Sequence, residues 1–163
     1  MRQSRPHAGR GGDFVFETIY SQAVAAVAAL VVAFAFMKGD ETERIGAAAY
    51  GLVFIATVMI RDGSSFSIPR LGALALDVML LGVLIVLGWH SRRSWLIWAS
   101  AFQGLIVASH ILLVANLRPP SDAFAAVNNM SNYGLLVAMA IGTFWAWQER
   151  KAARLAEQPG PHL

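Results

Sequence analysis

LGALALDVMLLGVLIVLGWHSRRSWLIWASAFQGLIVASHILLVANL, residues 71 to 117, decides the fold. It holds two apolar runs, Leu71 to Trp89 and Trp95 to Leu117, separated only by the five residues His90 to Ser94. Each run approaches or exceeds the roughly 20 residues that carry a helix across hydrocarbon. A link this short returns the second helix antiparallel beside the first. The wider composition agrees: 56% of the 163 residues are hydrophobic, 14% are charged and mean hydropathy is +0.53, against roughly 25% charged in an ordinary soluble domain. Five spans would use about 100 residues and leave short loops and two tails. The expected fold is therefore all-α: a polytopic membrane protein built as a compact bundle of five transmembrane helices.

Upstream of this hairpin, Ile19 to Met37 is apolar and ends at Lys38-Gly39, with Gly39 suited to a helix stop. Asp40 and Glu43 form a capping-box pattern that opens the next run, Ile45 to Ile60. Gly63 to Pro69 reads as a turn-rich link. Downstream, Pro119-Pro120 breaks the chain, and Ser121 can cap a fifth helix whose opening turns, AVNNMSNY, are polar. Expected helices run over about 17–38, 42–61, 70–89, 94–117 and 122–148. Residues 1–16 and 149–163 are expected to form flexible basic tails. Arginines before an apolar run that ends Ala33-Phe34-Ala35 also fit a signal peptide, but Asp13 and Glu17 interrupt that pattern.

Several functions are excluded. Without cysteine there is no disulfide, thiolate metal site or cysteine nucleophile. Basic residues stand singly or in pairs between apolar runs, a membrane-flanking pattern and not a nucleic-acid surface. No G-x-S-x-G, Walker A, H-E-x-x-H or dinucleotide fingerprint is present. His90 and His110 belong to different depths and cannot bracket one haem, and Asp77 with His110 alone supplies too few ligands for zinc. Ser109 points away from His110 and forms no triad with it. No catalytic residue, metal or cofactor is assigned.

Asp77 and His110 are the ionisable residues inside the two apolar runs, and charge at mid-helix costs about 2.5–3.5 kcal/mol on insertion scales. Asp77 lies six residues past Leu71 and His110 seven before Leu117, so both stand about 10 Å from the same membrane face. A direct contact between them would relieve the desolvation of each. Gln103, seven residues before His110, shares its helical face. At the same end the fifth helix brings Asn128, Asn129, Ser131, Asn132 and Tyr133, and the first brings Glu17, Tyr20, Ser21 and Gln22. The expected site is a polar vestibule floored by Asp77 and His110, with Gln103, Asn128, Asn132 and Tyr133 around it. Small-residue ladders, Ala25-Ala29-Ala33 and Gly134-Ala138-Gly142, mark close helix packing within the bundle or across a homodimer.

Call the membrane face nearest Asp77 and His110 side A, and the opposite face side B. Lys and Arg divide six to side A and seven to side B. The count does not orient the chain, but Arg92-Arg93 and Arg150 to Arg154 hug helix ends, which favours a cytoplasmic side B and C-terminus. All five tryptophans also fall at side B, as an interfacial aromatic belt would.

LALDVMLLGVLIVLGWHS with Asp77, RRSWLIWASAFQGLIVASH over Arg92 to His110, and ERIGA over Glu43 to Ala47 resemble a group of small bacterial inner-membrane proteins. The resemblance covers about Asp40 to Leu117 and implies an inner-membrane location but no activity. The expected role is a small structural or accessory protein, not an enzyme, that associates in the bilayer with another membrane protein or with itself. The alternative is a transporter, sensor or enzyme that handles a small molecule or proton at Asp77 and His110.

Overall fold

In the computed structural model the described residues are 10–62, 69–115 and 121–157, with side chains described over 22–59, 71–115 and 123–157. They form five α-helices and no strand: α1 (Arg10–Lys38), α2 (Glu41–Asp62), α3 (Pro69–Ser91), α4 (Ser94–Val114) and α5 (Ser121–Ala156). Segments within Glu41–Met59, Leu71–Ser91 and Ser94–Val114 are long and apolar enough to cross a membrane, which points to a membrane location. The turn-rich link over 63–68, the Pro119-Pro120 break and the side chains of Glu17, Tyr20 and Ser21 lie outside the described residues.

Neighbours in sequence are neighbours in space. The helices pack in the ring α1, α2, α3, α4, α5, with α5 returning to α1 and α2 touching α5 across the middle. Leu80, Leu84, Leu96, Leu135 and Met139 fill the centre, each no more than 2% exposed. Lipid-like surroundings suit the outside, where Leu52, Met79, Val86 and Ile97 stand exposed.

Two turns of two residues each close the side B end. At the first, Gly39 is required by crowding: a Cβ there would run into the Ala35 carbonyl and lie 2.6 Å from Glu43 Cβ. At the second, Arg92 takes φ 53°, and its N–H donates to the Gly88 carbonyl at 3.0 Å. This left-handed closure is usually made by glycine.

Helix ends depart from the sequence reading at both termini. α1 begins at Arg10, seven residues before the expected Glu17, because Phe14-Val15-Phe16 extends its apolar run upstream. α5 continues to Ala156 through residues expected in a tail. Its last turns, QERKAARLA, are strong helix formers, and Glu149 and Arg150 are held by ion pairs to the rest of the bundle. At 36 residues α5 is about 54 Å long, well beyond a hydrocarbon core of about 30 Å.

Candidate functional site

The short α3–α4 turn sets the register that makes the site. It brings Asp77 of α3 level with Gln103 and His110, which share one face of α4 seven residues apart. His110 Nδ1 lies 2.7 Å from Asp77 Oδ2, at ion-pair distance but out of line for a hydrogen bond. Gln103, 1% exposed, donates from Nε2 to Asp77 Oδ1 at 3.0 Å and to the Asp77 carbonyl at 3.2 Å. The carboxylate is thus clamped from two points on the neighbouring helix.

These three side chains border a cavity of about 370 Å³. Asn128, Asn129, Asn132 and Tyr133 line it from α5, Tyr50 and Thr57 from α2, and Val24 from α1. The residues expected from the sequence to surround Asp77 and His110, namely Gln103, Asn128, Asn132 and Tyr133, therefore reach one cavity with them. Gln22 is exposed, so the described α1 wall is apolar. Asn132 donates from Nδ2 to the Asn128 carbonyl at 2.9 Å, and the Phe124 ring meets His110 edge-on with centroids 6.5 Å apart. Asn128 Oδ1 is buried with no hydrogen-bond partner among the described residues. Leaving an acceptor so costs about 1–3 kcal/mol unless something else satisfies it.

The arrangement offers acceptors at Asp77 and Asn128, an imidazole that can accept or donate, and a carboxylate beside it. It can hold a small polar molecule by hydrogen bonds. No group of three or more His, Cys, Asp or Glu among the described residues is placed to hold a metal.

The glycine ladder of α5 is used inside the bundle. A Cβ on Gly134 would lie 2.6 Å from the Phe102 ring, one on Gly142 would enter the Trp95 ring, and Ala138 is 7% exposed. The α1 ladder faces otherwise. Ala29 and Ala33 are exposed and Ala25 is half-buried, while the alanines buried in the core are Ala28 and Ala35. One step of register around the helix separates the two sets.

A second cluster, at side B, does not stand out in the sequence as a unit. The capping box is present, with the Asp40 N–H donating to Glu43 Oε2 at 2.9 Å. The other carboxylate oxygen of Glu43 accepts from Trp95 Nε1 at 3.1 Å, and Glu43 is fully buried. Trp95 is 5% exposed and belongs to the core, unlike Trp89, Trp98 and Trp145, which are exposed as an interfacial belt requires. Above this pair, Arg93 contacts Asp40 Oδ2 at 3.1 Å and Glu149 Oε2 at 2.7 Å. Arg150 Nε reaches Asp40 Oδ1 at 2.8 Å, and Arg150 Nη2 also donates to the Lys38 carbonyl. The hydrogen bond that the Arg93 guanidinium donates to Glu149, opposed by partial burial, holds it above its ordinary pKa. These ion pairs tie the α1–α2 turn and the α3–α4 turn to α5, which gives the cluster a bracing role. The usable signal in the sequence is the pair of short turns, which places Glu43 and Trp95 at one level.

Compared with protein-family models, curated proteins and solved structures, the chain matches none, so its function is read from these two clusters.

Proposed function

We propose that this chain is a five-span membrane protein that binds a small polar solute in the Asp77–His110 cavity, with the pair taking up or releasing a proton as the solute binds. In this reading the apolar stretch Gln22–Lys38 of α1 and the run from Phe124 to Trp147 of α5 are the other two spans. That topology opens the cavity to side A and sets Arg92, Arg93, Arg150, Lys151 and Arg154 at the cytoplasmic face of a bacterial inner membrane.

The observation that carries the reading is the cavity itself. Asp77, His110 and Gln103 contact one another, yet with Asn128 and Asn132 they also border open space, and Asn128 Oδ1 is left there without a partner among the described residues, which helix glue alone does not require. Its volume falls in the range of about 300–1,000 Å³ typical of ligand sites. Charged residues at such depth are retained mainly where they act on an ion, proton or ligand.

A chain without cysteine allows a clean test. Thr57→Cys and Asn132→Cys, which replace cavity side chains, should react with a water-soluble maleimide. Leu52→Cys, on the exposed apolar surface, should not. Unreactive cavity cysteines in a folded protein would mean dry packing.

A second reading, lateral association with another membrane protein or a second copy, is favoured by the exposed Ala29 and Ala33 on α1. Such a face permits close helix approach. Replacing both with leucine should dissociate that assembly and leave the cavity cysteines reactive.

A further inference from the structure

We propose that the groove between α4 and α5 at the Arg92–Arg93 turn is a binding site for one anionic phospholipid, its acyl chain lying between the helices and its phosphate at Arg92.

The groove measures about 720 Å³. Trp98 and Phe102 form one wall, and Val137, Ile141 and Trp145 the other. From Trp95 to Phe102 is seven residues and from Gly142 to Gly134 eight, so both walls descend about 10–12 Å from the side B interface. Its floor is where the α5 glycines receive the Phe102 and Trp95 rings. Its open side faces outward: Trp98, Val137, Ile141 and Trp145 are each at least half exposed. In a bilayer this apolar cleft lies at acyl-chain depth.

The rim supplies charge. Arg93 and Glu149 both border the groove, but they neutralise each other at 2.7 Å. Arg92 is exposed and has no ion pair among the described residues. It borders this groove and the adjoining one formed with Gly88, Trp89 and Ile97. The rim therefore carries one uncompensated cation directly above an apolar cleft, the combination that suits a lipid with a negative headgroup. A zwitterionic lipid also brings a phosphate but carries its own cation beside it and so leaves the charge at Arg92 uncompensated, and a second copy of the chain would have to bury it. The site is separate from the Asp77 cavity and depends only on the membrane setting.

The test is native mass spectrometry of the full chain in detergent, offered phosphatidylglycerol and phosphatidylcholine with identical acyl chains. The natural protein should retain phosphatidylglycerol about fivefold over phosphatidylcholine, the preference one interfacial cation supplies. Arg92→Gln should abolish the preference while still retaining lipid, and Arg92→Lys should keep most of it. Val137→Trp, a filling substitution at an exposed position, should reduce retention of both lipids about tenfold. Equal retention of the two lipids by the natural chain overturns the proposal, as does an intact preference in Arg92→Gln. So does a disulfide-linked dimer formed by Val137→Cys, which would seat a second copy in the groove.

Discussion

Asp77 and His110 face each other across the α3–α4 interface at 2.7 Å, while Gln103 holds the other oxygen of the same carboxylate. The three groups act as one unit, and their energies should not add. Asp77→Asn and His110→Gln should each cost about 0.6 kcal/mol, rising to about 1.7 at most, the range of polar contacts between membrane helices. Together they should show coupling of at least about 0.5 kcal/mol in a double-mutant cycle read by reversible unfolding in mixed micelles. Strictly additive costs would show that the pair does not interact.

Glu43 should matter more to stability than Asp77. It is fully buried and accepts from both the Asp40 N–H and the Trp95 indole. Glu43→Ala leaves two donors unpaired and should cost about 2–4 kcal/mol, whereas Glu43→Gln, which keeps one acceptor, should lose less than half of that. Equal loss in the two variants would mean that the site needs both carboxylate oxygens, since glutamine keeps the side-chain volume and one acceptor.

The glycines divide into two groups. Gly134→Ala and Gly142→Ala would push a methyl group into the Phe102 and Trp95 rings, and should destabilise by about 1–3 kcal/mol. A Cβ on Gly82 or Gly104 would meet nothing within 4 Å. Their alanine variants should be neutral or gain up to about 1 kcal/mol from helix propensity. Thermal unfolding of the four single variants checks both halves.

At Arg92, a left-handed backbone carries a side chain that gains nothing from that conformation. Arg92→Gly should relieve about 1–2 kcal/mol of strain, partly offset by the greater freedom of glycine in the unfolded chain. A net gain of about 0.5–1 kcal/mol is expected by thermal unfolding. In lipid-free detergent, where the phosphate proposed at Arg92 is absent, a loss would show that the Arg92 side chain stabilises the turn itself.

The helical bundle is legible in the sequence because its signals are long and local. Apolar runs set the helices, and the five-residue hairpin forces α3 against α4, which suffices to align Asp77, Gln103 and His110 from spacing alone. The contribution of α5 to the same cavity follows from the polar opening turns around Asn128 and Asn132. What escapes the sequence depends on rotation about helix axes and on contacts distant in the chain. An α1 rotated by one position buries Ala28 and Ala35 and turns Ala29 and Ala33 outward. Trp95 reads like its belt neighbour Trp98 until the depth of Gly142 and the position of Glu43 are known. The extension of α5 past Gln148 looks like a solvated charge run because its partners, Arg93 and Asp40, lie far back in the sequence.

Whether the Asp77–His110 cavity holds a small polar solute is tested most directly by mass spectrometry of small molecules retained by the chain purified in mild detergent, compared with His110→Ala and Asp77→Asn at matched helix content. A polar compound should be present with the natural protein and lost from both variants. Retention of the same compound by a folded His110→Ala and Asp77→Asn, or no bound polar compound in any form, would contradict the solute-binding role.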